Sequence, residues 1–258
     1  MKKHITLKQL LFKPGRLAAA LTALLLSAVA VSTSAQVLPP SSLPFGLSYQ
    51  EWSAKWWQWD LEQSTKHLEL VGGPSICDGP ASRVQFLLGA YLTGGVATQT
   101  NKITIPAGTP LFFPILSVWS DNSGCPTFTS FTADELTAQV EGLWSAVSLT
   151  SCTIDGSPVA GLSDPTNNVY LVQAPAFSYT TAEHDNVLAG EFGDTCIAGG
   201  TTIYPAVADG VFLMLSPLSP GKHVIHAIGK VGPLTDPFVE EDITYEITVS
   251  RDSGCDGR

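Results

Sequence analysis

The stretch Tyr49–Leu61, YQEWSAKWWQWDL, holds four of the chain's six tryptophans, Trp52, Trp56, Trp57 and Trp59. At helical spacing Tyr49, Trp52, Trp56, Trp59 and Gln63 share one face, and Trp57 and Leu61 widen it. Glu51, Lys55, Gln58 and Glu62 gather on the opposite side. Each indole buries about 150–250 Å² when enclosed, so this helix commands a large share of any core the chain builds. The separation of charge from rings predicts a brace packed against protein, not an open platform for stacking sugars.

Ser48 followed by Glu51 forms a capping box at the helix start. The helix is expected over about 49–66, fading near His67 ahead of Gly72-Gly73-Pro74. Asp60 falls toward the aromatic side. A carboxylate bordered by tryptophans is a raised-pKa acid, one half of an ion pair with a Lys or Arg, of which Arg83 is a candidate, or the cap of a neighbouring turn.

Residues 1–35 read as a secretory signal peptide. Lys2, Lys3, Lys8, Lys13 and Arg16 precede the apolar run Leu17–Val31, and Thr33-Ser34-Ala35 or Ala28-Val29-Ala30 offers the cleavage site. Gln36 and Val37 follow, not the cysteine of a lipoprotein. No later stretch approaches the ~20 apolar residues of a membrane span. Residues 36–258 are expected to form a single β-rich domain, exported to the periplasm or the medium. Without the leader, eight Lys and Arg remain against 23 Asp and Glu, a formal charge of about −15. Such a surface repels nucleic acid and suits a soluble exported protein with a glycan, a cation or an envelope protein as partner.

All five cysteines, Cys77, Cys125, Cys152, Cys196 and Cys255, follow the leader, where disulfides are permitted. Cys125 and Cys152 flank an expected helix closely enough to pair. No Cys or His spacing matches a zinc site, and no cofactor is expected, although a metal ion stays open.

Strand signals occupy most of the remainder. Val84–Leu92 reads as a buried strand interrupted by Gly89. Ile103–Ile105 and Pro110–Val118 flank the turn Pro106-Ala107-Gly108-Thr109, with Pro114 marking an edge or a bulge. Thr132 and Glu135 form a second capping box, opening a helix over about 133–147. Val147–Ile154 ends at the hairpin signal Asp155-Gly156, with Pro158–Leu162 as return strand, and Val169–Val172 is another short strand. Residues 173–205 are the least regular part and read as a functional or covering loop. VFLMLSPL, KHVIHAI and the alternating Ile243–Val249 complete the strands. The expected fold is mainly β, an antiparallel β-sandwich or jelly-roll-like body, with two packed α-helices.

SYQEWSAKWWQW, IPAGTPLFFPIL and PLSPGKHVIHAIG together resemble a family of exported bacterial proteins without an assigned activity. The resemblance implies a signal peptide, a Trp-rich helix and a β-rich body, and carries no catalytic residue with it. In that family the strand before the PAG turn often bears a cysteine suited to the one matching Cys77. Asn101, Lys102 and Ile103 stand there in this chain, which leaves Cys77 or Cys255 as the odd thiol. PLSPGKH also superficially resembles the second metal motif of cupins, but the upstream His-x-His and Glu cluster is missing around IPAGTPLFFPI.

Four histidines follow the leader, His67, His184, His223 and His226. His223 and His226 are expected on opposite faces of a strand, so they do not chelate one ion together. One of them, with His184 and Asp185 from the irregular segment, would make a site. Asp121, with Asn122 beside it, supplies oxygen ligands of the kind Ca²⁺ accepts, but far fewer than six to eight. No GxSxG, HExxH, P-loop or dinucleotide fingerprint is present. The candidate binding residues are therefore Asp60, Asp121, His184, Asp185, His223 and His226. Two functions compete. One is a non-enzymatic binding or structural module of the bacterial cell envelope. The other is an exported hydrolase, metal-dependent or not, using His184 with His223 or His226 and a nearby Asp121 or Asp185.

Overall fold

A computed structural model describes residues 36–73, 84–90, 95–125, 127–128, 130–164 and 167–251. The expectations for the leader, for Cys77, Arg83 and Cys255, and for strand residues 91–92 fall outside these. In chain order the strands are β1 (Val37–Leu38), β2 (Val71–Gly72), β3 (Gln85–Leu87), β4 (Gly95–Pro106), β5 (Leu111–Asp121), β6 (Val147–Ile154) and β7 (Ser157–Pro158). They continue with β8 (Leu171–Gln173), β9 (Phe177–Thr180), β10 (Thr202–Leu215), β11 (Gly221–Val231) and β12 (Val239–Ser250). The helices are α1 (Tyr49–Leu61), α2 (Ala133–Trp144) and the single turn α3 (Val187–Gly190).

The strands form two sheets. The first runs β1-β10-β5-β3-β2, and β8 and β9 also pair with β10. β10 lies against β5 for nearly its whole length, while β9, β8 and β1 share its other side in turn. The second sheet runs β4-β12-β11-β6-β7. The expected sandwich is present, with two departures from antiparallel pairing: β4 runs parallel to β12, and β3 parallel to β5. The Pro106–Thr109 turn therefore carries the chain from one sheet to the other.

Alternation decides what packs where. Leu111, Phe113, Val211, Leu213 and Leu215 of the first sheet meet Ile225, Ala227, Ile243, Tyr245 and Ile247 of the second in a dry core. Phe112, Phe212, Ala206, Ala208 and Met214 face the other way and are covered by α1 and by residues of the 170–197 region. The molecule thus has a third layer outside the sandwich. α2 seals one end, with Leu136 and Val140 against Val207.

Both capping boxes form. Glu51 N–H donates to Ser48 Oγ at 3.2 Å and Ser48 N–H to Glu51 Oε2 at 2.8 Å. Thr132 and Glu135 repeat the arrangement. The polar stripe is as expected, with Glu51, Lys55 and Glu62 exposed, while Tyr49, Trp52, Trp56, Trp57 and Leu61 are buried. Two of the buried indoles find acceptors: Trp52 Nε1–H donates to Pro44 O at 2.9 Å and Trp56 Nε1–H to Leu87 O at 3.0 Å.

α1 ends at Leu61, short of residue 66. Ser64 pairs with Asn186 and its hydroxyl caps a separate 3₁₀ turn over Thr65–His67. α2 stops at Trp144 because Val147 is taken into β6, opposite Val231. The Asp155-Gly156 hairpin is correct, both residues having positive φ (51° and 78°), but its return strand is only Ser157–Pro158.

Residues 173–205 are a cover. Gln58 Nε2 donates to Ser178 O at 2.8 Å, Thr180 N–H donates to Glu62 Oε1 at 3.1 Å, and Lys66 pairs with Asp185 at 3.0 Å. Cys125 and Cys152, near enough in sequence to pair, do not. Cys125 bonds Cys196, tying the end of β5 to this cover. Cys152 is a free thiol facing the dry core from β6, so an odd thiol lies there and not only among Cys77 and Cys255.

Candidate functional site

The candidate histidines lie in different surroundings. On β11, His223 shares the inward side with Ile225 and Ala227, and His226 lies on the outer side. His226 Nε2 lies 2.6 Å from Asp242 Oδ1. His184 sits in the cover next to Asp185, whose carboxylate is taken by Lys66. Among the described residues no three His, Cys, Asp or Glu side chains group to hold a metal ion.

His223 has a serine and an aspartate beside it, a trio sequence reasoning missed. Its Nδ1 is 2.7 Å from Asp155 Oδ2, and its Nε2 is 3.3 Å from Ser219 Oγ. The same Nε2 lies closer, 2.8 Å, to the Ser219 carbonyl oxygen. The carboxylate is the near partner of one nitrogen and the carbonyl that of the other. Nε2 is committed to the carbonyl and does not take a proton from the hydroxyl, so the trio ties a turn and does not activate a nucleophile.

Asp121 is likewise fully engaged. Its Oδ2 accepts from Tyr179 OH at 2.6 Å and from Trp119 Nε1–H at 3.0 Å, and its Oδ1 from Ser123 N–H at 2.7 Å. Asn122 clasps Phe131 through both backbone groups at 2.9 and 2.8 Å. These are structural bonds, not vacant oxygen ligands for Ca²⁺. What Asp121 does is fix the Trp119 ring.

Trp119 belongs to a place where aromatic and acidic side chains meet. A cavity of about 50 Å³ is lined by Trp56, Trp57 and Asp60 of α1, Leu88–Ala90, Pro114, Ser117 and Trp119 of β5, Phe192 of the cover, and Glu241 of β12. The backbone explains the convergence. Pro114 sits opposite Phe212 and Leu116 opposite Val211, so Ile115 is an extra residue in β5. This bulge shifts the alternation and turns Ser117, Trp119 and Asp121 toward α1. β3 pairs with β5 only at Leu111 and Phe112, so beyond Phe112 that side of β5 has no partner strand among the described residues. Glu241 points inward from the second sheet beside this open edge. Its partner across β11 is Gly229. A Cβ on Gly229 would stand 2.7 Å from Leu116 Cβ, so glycine there lets the sheets close on the site.

The rings pack edge and face. Trp56 and Trp57 are perpendicular at 5.1 Å, Trp57 and Trp119 are tilted at 5.0 Å, and Trp119 and Phe192 meet at 4.6 Å. Trp56 and Trp57 are buried, while Gly89, Ala90, Trp119, Phe192 and Glu241 are half-buried around the mouth. Glu241's carboxyl is pushed up to about 8, first by burial and then by the negative charge of Asp60. It is therefore a neutral acid at pH 7. Among the described residues Trp57 Nε1–H is buried without an acceptor.

Asp60 was legible as the uneasy member of α1. Glu241, Trp119 and Phe192 were not. Glu241 lies in a Val-Glu-Glu-Asp run that reads as a solvated strand end, and only its inward register betrays it.

No helix among the described residues is long and apolar enough to cross a membrane. Comparison of the chain with protein-family models, with curated proteins and with solved structures finds no match in any of the three.

Proposed function

We propose that the chain is an exported, non-enzymatic binding module of the bacterial cell envelope, and that its ligand seat is the cavity between α1, β5 and Glu241. The observation that carries this reading is the meeting of three indoles, Phe192 and two carboxyl groups around one partly open space. The Cys125–Cys196 bridge supports an oxidising compartment. The resemblance of the SYQEWSAKWWQW, IPAGTPLFFPIL and PLSPGKHVIHAIG stretches to an exported bacterial family favours the envelope, with residues 1–35 as the leader. A seat of about 50 Å³ holds a few heavy atoms, since one water needs roughly 10–15 Å³. It takes the tip of a partner molecule and not a whole sugar ring.

The test is a small-fragment panel followed by ligand-observed NMR and tryptophan emission, on the wild type and on Gly89→Leu. Gly89 has ordinary φ, and a Cβ there has Glu241 Oε2 as its nearest neighbour, at 3.8 Å. A longer side chain therefore fills the mouth without straining the backbone. Fragments that bind the wild type and are lost in Gly89→Leu support the reading. A panel in which no fragment is sensitive to that substitution overturns it.

A further inference from the structure

We infer that a groove at the C-terminal end of α2 binds an organic ammonium group, the end of a free alkylamine or of a lysyl side chain. It is a second site, independent of the cavity beside α1. The groove, of about 470 Å³, is lined by Glu141, Trp144 and Ser145 at the end of α2, by Leu171 and Gln173 of β8, and by Asp209 of β10. Asp209 stands two places after Val207, which packs against Leu136 and Val140, so it too looks toward α2. Its register partners are Gln173 on β8 and Val118 on β5. It is 7% exposed, yet among the described residues no hydrogen-bond donor or cation reaches its carboxylate. A carboxylate so enclosed is costly without a counter-charge.

The surroundings sharpen this demand and do not meet it. Glu141 acts on Asp209 as a like charge, and Gln173 Nε2 approaches Glu141 Oε1 at 3.5 Å. The last turn of α2 holds no basic residue, so nothing there offsets the negative end of its dipole. An anion is therefore opposed from both walls. A bare metal ion lacks ligands. Among the described residues no three His, Cys, Asp or Glu side chains group to hold one, and Ca²⁺ takes about six to eight oxygens. An ammonium supplies the missing charge and up to three donors. Trp144 and Leu171 line the groove for the methylenes behind it.

Among the described residues Glu141 is the charged group acting on Asp209, while β8 and β5 place Gln173 and Val118 beside it. Burial, and then Glu141, push the Asp209 carboxyl up to about 6. An ammonium selects the ionised form. Affinity is therefore expected to rise as pH increases through about 6 and to level off above it.

The experiment is titration of the full chain with butylamine, butyrate, tetramethylammonium and the N-acetyl methylamide of lysine, read by ligand-observed NMR. Butylamine is expected to bind about tenfold more tightly than butyrate and than tetramethylammonium, which has no N–H to donate. Asp209→Asn removes a charge that burial disfavours, so the fold is retained, and it is expected to weaken butylamine about tenfold and to abolish the rise through pH 6. Glu141→Gln is expected to weaken it less. Glu191→Gln, which removes an exposed charge from the cover, controls for the acidity of the whole chain. Tighter binding of the lysine derivative than of butylamine supports the site and assigns it to a lysyl side chain, while equal or weaker binding supports it and assigns it to a free amine. Butylamine binding that Asp209→Asn leaves unchanged, or that Glu191→Gln weakens as much, overturns the inference. So does binding that Gly89→Leu abolishes, which would belong to the cavity beside α1 and leave that reading standing.

Discussion

Trp119 donates its indole N–H to Asp121 Oδ2 at 3.0 Å, two residues along the same strand. The oxygen it uses also accepts from Tyr179 OH of the covering segment. A single carboxylate thereby aligns a wall of the cavity and anchors its cover. Tyr179's hydroxyl is held well above its ordinary pKa, by burial first and then by Asp121, so it remains a donor throughout the physiological range.

Asp121→Ala removes the acceptor for three donors. Hydrogen bonds to charged groups are worth about 1.5–3 kcal/mol, and a loss at the upper end or beyond is expected because Tyr179 is left buried. Chemical denaturation measures it, and the emission of Trp119 should shift at the same time. Unchanged emission would mean that the ring does not depend on Asp121.

Glu241 makes stability fall with rising pH. Its folded pKa, about 8, exceeds the unfolded value near 4.5. The folded state therefore binds more protons between these values, and the contribution is complete below pH 4.5 and lost as pH rises through 8. The slope in that window is at most about 1.36 kcal/mol per pH unit. Asp209, raised to about 6 by burial and by Glu141, adds to the loss between 3.8 and 6. Glu241→Gln should flatten the upper part of the profile, and Asp209→Asn the lower. A melting curve that steepens in either variant would contradict the assignment.

Opening the Cys125–Cys196 bridge with paired serines frees a loop whose ends are separated by 71 positions in sequence. A loss of about 2–4 kcal/mol is expected. Hydrogen exchange should rise first in residues 181–201, which the bridge ties to β5. Cys152 behaves oppositely. Its thiol is buried and pushed up to about 12, so mass-mapped alkylation should miss it in the native state and find it once the chain is unfolded.

Trp56→Ala should cost about 3–5 kcal/mol. The indole is buried, stacks edge-on with Trp57 and Phe212, and bonds the Leu87 carbonyl. Gly229→Ala should cost about 1–3 kcal/mol for a different reason, overpacking against Leu116. Thermal melts of the two variants separate a lost contact from a forced one.

The local chemistry of this chain lay open in its sequence. Ser48 with Glu51 and Thr132 with Glu135 specify helix starts because the donors and acceptors are three residues apart. Asp155-Gly156 specifies a hairpin because both residues tolerate positive φ. The charges of Glu51, Lys55 and Glu62 specify which face of α1 is wet because helical geometry is fixed. Pro114 announced a bulge, but not that the bulge would swing Trp119 toward Trp57.

Only the tertiary structure decided the rest. Which cysteine meets Cys125, which sheet takes β4, and that Glu241 looks toward Asp60 are pairings between distant segments. Such pairings leave no periodic trace, because each partner satisfies its own local rules equally well in other company. The cavity exists because α1, β5, the cover and β12 close on one point, and that closure is set by the packing of two sheets.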